Sequence, residues 1–145
     1  MLRRWLERIE RAEGPAKPPP RHLAVAVLLV ECARADFDRS PLEVGAVRDA
    51  LAGHFGLSAD DVDALVRDAG TEAERSVSLH GYVARLNGEL DPDAKRGIVG
   101  LLWRVAWADG RIDPHEEALI RRLADLLYVP HAQFVQEKLA SSPPT

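Results

Sequence analysis

The feature of this sequence that most limits its fold is an internal repeat of a helix–corner–helix segment. When the chain is shifted by 73 positions, residues 28–51 align with residues 101–124, and eight of the 24 aligned pairs are identical. Apolar identities alone would reflect helix periodicity, but polar identities around a turn are harder to explain in that way. The identical residues around the corner are Ala35, Asp36, Pro41 and Glu43 in the first copy and Ala108, Asp109, Pro114 and Glu116 in the second, and the aspartate and glutamate are the polar ones. The repeat predicts two related halves.

The rest of the pattern is helical almost throughout. Apolar residues recur three and four positions apart, and no run alternates in polarity. Two predicted helices begin with an N-cap residue, then a proline, then a glutamate at the third helical position. These segments are Ser40 to Glu43 and Asp113 to Glu116. The prediction is an all-α fold, a compact bundle of about seven helices with an internal pseudo-twofold repeat. The helices are expected near 21–36, 40–55, 58–70, 77–88, 92–108, 113–128 and 130–140.

The chain divides into four parts. Residues 1–13 form an amphipathic N-terminal arm that places Leu2, Trp5, Leu6 and Ile9 opposite charged residues. Residues 14–20 are a Pro-rich linker, residues 21–140 are the helical domain, and residues 141–145 are expected to be a loose tail. The arm could pack on the domain, on a second protomer or on a membrane surface. The oligomeric state is left open.

Composition narrows the function classes. A net charge of −4 argues against nucleic-acid binding. The single cysteine, Cys32, excludes an intramolecular disulfide and favours a reducing cytoplasmic location. The longest apolar run, residues 23–30, is too short to span a bilayer. No phosphate loop, GxSxG or HExxH motif is present, so no catalytic motif identifies an enzyme.

Each corner places a carboxylate, Asp36 or Asp109, at the C-terminal end of a helix, where the helix dipole disfavours it by about 0.3–1 kcal/mol. One compensation is local, with an Asx-turn at the aspartate and a capping box at the following glutamate. The other is a divalent cation shared between the corners. If the pseudo-twofold brings the corners together, Asp36, Glu43, Asp109 and Glu116 would pool oxygen ligands that suit calcium or magnesium.

At these residues the sequence resembles the tellurite-resistance TerB-like family, an all-helical domain of two related halves. The resemblance covers about residues 23–140. It is carried by Ala35-Asp36 with residues 40–43, by the segment 103–117 containing Ala-Asp-Gly followed by Asp and Glu, and by residues 126–129. The first corner departs from the family pattern, with Phe37 where glycine is typical.

The resemblance implies a cytoplasmic domain of tellurite and chemical-stress responses. It also implies metal binding through acidic residues and work in membrane-associated protein complexes, with no established catalytic activity. Carried over to this sequence, the acidic positions are Asp36, Glu43, Asp109, Asp113 and Glu116.

Two tryptophans, Trp103 and Trp107, lie one turn apart beside the second corner. They are either core residues or a stacking platform for a protein partner. The leading interpretation of the whole chain is a binding module that takes a divalent cation or a protein partner at its acidic corners. The first alternative is a metal-independent protein-interaction scaffold. The second is a metal-assisted hydrolase, which requires a deep pocket beside Asp36 and Asp109.

Overall fold

The computed structural model describes residues 19–35, 41–75 and 78–142, and these residues form seven helices with no strand among them. The prediction of an all-α bundle of about seven helices is confirmed. In chain order the helices are α1 (Pro20–Arg34), α2 (Pro41–Phe55), α3 (Ala59–Glu74), α4 (His80–Glu89), α5 (Pro92–Ala106), α6 (Pro114–Leu126) and α7 (His131–Ser141).

Side-chain caps stabilise three of the helix starts, those of α3, α5 and α6, the last through Asp113. Ser58 Oγ accepts from the backbone N–H of Asp61 at 3.2 Å, ahead of α3. Asp91 Oδ1 accepts from the N–H of Ala94 at 2.8 Å, ahead of α5. Each bond satisfies an N–H group that has no partner within its helix. The cap predicted for α2, Ser40, lies outside the described residues.

The predicted end of the third helix, at residue 70, is wrong. Gly70 is a weak helix former, but α3 continues over it to Glu74. Ala69 and Ala73 are both buried on the helix face that packs against the bundle. Tertiary packing therefore outweighs the local preference of glycine, which costs about 0.5–1 kcal/mol relative to alanine.

The sixth helix ends two residues earlier than predicted, at Leu126. Tyr128 follows in the left-handed region with φ of 61°. The N–H of Val129 donates to the carbonyl of Ala124 at 2.9 Å, and that of Tyr128 donates to Asp125 at 3.1 Å. These two bonds close a Schellman-type C-cap on α6.

The first helices of the two repeat copies, α1 and α5, form the centre of the bundle. Helix α1 contacts α2 to α6, and α5 contacts α1, α2, α6 and α7. Their facing stretches, residues 24–29 and 98–103, are buried throughout. In both copies the second helix begins at the aligned proline, Pro41 or Pro114. The pseudo-twofold axis itself stays a prediction.

The domain boundaries are only partly covered by the described residues. The predicted linker ended at Pro20, but Pro20 is the first residue of α1, where its fixed φ suits a helix start. The arm, most of the linker and the last three residues lie outside the described residues. Among the helices that are described, none has the length and apolar content needed to cross a membrane.

Candidate functional site

Two glutamates at equivalent positions of the repeat are buried. Glu43 in the first turn of α2 is 1% exposed, and Glu116 in the first turn of α6 is fully buried. A carboxylate taken out of water costs several kcal/mol unless its charge is compensated. The N-terminal end of a helix supplies part of that compensation because its dipole is positive there.

A buried thiol lies next to one of these glutamates, Glu116. Cys32, fully buried on α1, donates a weak hydrogen bond to the carbonyl of Leu102 at 3.8 Å. Its Sγ also lies 4.0 Å from Glu116 Oε2. Burial raises the pKa of the Cys32 thiol well above its usual value, and the negative charges of Glu116 and then Glu43 raise it further. The thiol therefore lies against Glu116 and also experiences the negative charge of Glu43.

The raised pKa also defines what Cys32 can do. A thiol with a pKa far above neutrality is protonated and is a poor nucleophile. Cys32 therefore acts as a small buried core residue. Its contact with Glu116 was not predicted, because one cysteine in an apolar helix gives no sequence signal for such a contact.

The aspartates of the second corner are engaged in local turns. Asp109 Oδ1 accepts from the N–H of Arg111 at 3.1 Å, and Gly110 between them has φ of 84°, a conformation that favours glycine. Asp113 Oδ1 accepts from the N–H of His115 at 2.7 Å and lies 3.1 Å from His115 Nδ1. These are the Asx-turn and cap contacts that were predicted as the alternative to a shared cation.

The predicted site residues are thus brought together only in part. The structure buries Glu43 and Glu116 and places Glu116 against Cys32. It holds Asp109 and Asp113 in the corner and does not describe Asp36. Within residues 19–35, 41–75 and 78–142, no group of three or more His, Cys, Asp and Glu side chains could hold a metal ion. Calcium takes six to eight oxygen ligands, whereas magnesium is often held by one or two carboxylates with water.

Both tryptophans pack on the last helix. Trp103 is fully buried, and its Nε1 donates to the carbonyl of Phe134 at 3.1 Å. Trp107 is partly buried, and its Nε1 donates to the carbonyl of Lys138 at 3.2 Å. Trp103 therefore exposes no surface to a partner in this structure, and it occupies the core as in the first of the two interpretations.

An apolar groove lies between α1, α2 and α3, and no sequence pattern predicted it because three separate helices form it. Its volume is about 190 Å³. The apolar part of its lining consists of Val30, Ala33, Val44, Val47, Val66 and Gly70.

Comparisons with known proteins agree with the architecture. A family model described as "Tellurite resistance protein TerB" matches residues 22–139. Nothing among the curated proteins matches the chain. The crystal structure of a protein of unknown function from Porphyromonas gingivalis W83 is similar, with a TM-score of 0.59 and 21% sequence identity over 86% of this chain and 98% of that one. At this identity the likeness is one of fold.

Proposed function

Because the chain belongs to the tellurite resistance TerB family, we propose that this tellurite-resistance-associated module binds a divalent cation through Glu43 and Glu116. The observation that supports the proposal is the burial of two repeat-equivalent glutamates, both of which add negative charge near the Cys32 thiol and one of which, Glu116, lies 4.0 Å from its Sγ. Carboxylate oxygens are the ligands that calcium and magnesium prefer. A cation between the halves would be held by one glutamate from each.

The electrostatics of a low-dielectric interior favour this role. Two like charges repel each other more strongly in the interior than in water, and a divalent cation between them replaces the repulsion with two attractions. Further ligands are needed for a complete coordination sphere, and Asp36, Asp109 and Asp113 stay the predicted candidates. As the family resemblance implies, we expect the module to work in the cytoplasm with a protein partner in a membrane-associated complex.

Thermal unfolding with and without metal tests the proposal. If the dissociation constant is near 1 mM, about 10 mM magnesium or calcium stabilises the folded state by about 1.4 kcal/mol and raises the melting temperature by about 3–6 °C over chelator. Combining Glu43→Gln with Glu116→Gln should abolish this rise, because the ligating charges are lost. The measurement is differential scanning calorimetry of the full chain.

A matched control is Glu74→Gln, at an exposed position near the end of α3. This variant should keep the full metal-dependent rise. The proposal is contradicted by a flat response of the wild-type protein to both metals. It is also contradicted by a rise of equal size in the double variant, since that would place the cation elsewhere.

A further inference from the structure

We infer that the apolar groove between α1, α2 and α3 is the docking site of the chain's own N-terminal arm, residues 1–13. The floor of the groove comes from three helices, with Val30 on α1, Val47 on α2 and Val66 on α3. At its edge Val44 is 53% exposed. An apolar surface of this kind gains free energy when a nonpolar side chain covers it.

The size of the groove points to a side chain as its occupant. Pockets for small molecules usually enclose about 300–1,000 Å³. At about 190 Å³ the groove is smaller than that range and fits one large apolar side chain. The arm offers such side chains on one helical face, namely Leu2, Trp5, Leu6 and Ile9.

The length of the linker allows the arm to reach the groove. From Pro20 to the groove residues Val30 and Arg34, α1 extends by ten to fourteen residues, or about 15–21 Å. Residues 14–19, three of them proline, span about 19 Å when extended at 3.1 Å per residue. A linker that runs back along α1 therefore brings the end of the arm level with the groove.

Charge complementarity favours the same placement. The third helix, which forms one wall of the groove, carries six carboxylates and one arginine. Glu74 lies one turn after Gly70, on the groove side of that helix. The arm carries four arginines and three glutamates, a net charge of +1. The third helix has a net charge of −5, so the two segments attract each other at low ionic strength whichever face of the arm docks.

The experiment uses trypsin, which cuts after the arginines of the arm, on the full chain under native conditions. Gly70→Leu fills the groove, and a side chain is tolerated there because no atom lies within 4 Å of a Cβ built at Gly70. Blocking the groove should speed cleavage of the arm about tenfold, since cleavage follows the population of the undocked arm. Trp5→Ser should have a similar effect by removing the largest apolar side chain of the arm.

The matched control is Gly53→Leu, which makes the same substitution in α2 where a Cβ also meets open space and which does not line the groove. Trypsin should cleave the arm of this variant at a rate within about twofold of the wild-type rate. The inference is overturned if the wild-type arm is cut as fast as the arm of Gly70→Leu. Protection that increases over an about hundredfold range of protein concentration would assign the arm to a second copy. Protection that requires anionic lipid vesicles would assign it to a membrane surface, and both of these results overturn the inference.

Discussion

Replacing Trp103 by alanine is expected to lower the free energy of unfolding by about 3–5 kcal/mol, the usual cost of removing a buried indole. The side chain is fully buried, its ring centroid lies 5.0 Å from that of Phe134, and its Nε1 donates to the Phe134 carbonyl. The substitution leaves a cavity between α5 and α7 and removes the indole hydrogen bond to that carbonyl. Equilibrium urea unfolding followed by circular dichroism measures the change.

The neighbouring residue provides the control. Trp107 packs on the same helix but is only partly buried, so Trp107→Ala should cost less than half as much. The two interpretations of the tryptophan pair, core residues or a platform for a partner, predict different losses in the free energy of unfolding. A platform for a protein partner could be removed from the isolated chain with little loss of stability. A near-neutral Trp103→Ala variant would therefore contradict the placement of this residue in the core.

Replacing Cys32 by aspartate is expected to have a similarly large effect. The new carboxylate would lie against Glu116 and add to the negative charge of Glu43 in the core, where the thiol is now neutral. A buried charge without compensation typically destabilises a protein by about 3–5 kcal/mol. We expect this loss in urea unfolding with chelator present. Millimolar magnesium or calcium should recover part of it, because a third carboxylate adds a ligand to the proposed cation site.

Cys32→Val is the matched control, because it replaces the thiol with an apolar side chain of comparable size. The free energy of unfolding of this variant should fall by less than about 1.5 kcal/mol. Metal should not restore this loss, because valine is not a ligand. An aspartate variant as stable as the valine variant in chelator would contradict the negative charge of the two glutamates near Cys32. A destabilised aspartate variant that metal does not rescue would contradict the cation proposal alone.

The helices could be predicted because their signals are local. Proline at the first position, an aspartate or serine cap and three-and-four apolar spacing specify most of the starts, as at Asp91 and Asp113. The end of α3 could not be predicted, because the burial of Ala69 and Ala73 depends on neighbouring helices. The left-handed Tyr128 was missed for a related reason, since tyrosine rarely adopts that conformation.

The site was predicted to the extent that the repeat revealed it. The shared glutamates at Glu43 and Glu116 stand out because two copies keep the same polar residue after a turn. The local roles of Asp109 and Asp113 fit a turn and a cation equally well at the level of sequence, and only the hydrogen-bond geometry separates them. The protein partner and the hydrolase alternative stay predictions, and no described contact favours the hydrolase.

The most direct test of the central claim is a double-mutant cycle on the two glutamates in chelator. Glu43→Gln, Glu116→Gln and the combined variant are compared with wild type by equilibrium urea unfolding. Because both carboxylates act on the same buried thiol, their effects should be coupled, and the combined change should differ from the sum of the single changes by at least about 0.5 kcal/mol. Additivity within about 0.3 kcal/mol would mean that the two halves do not share one centre.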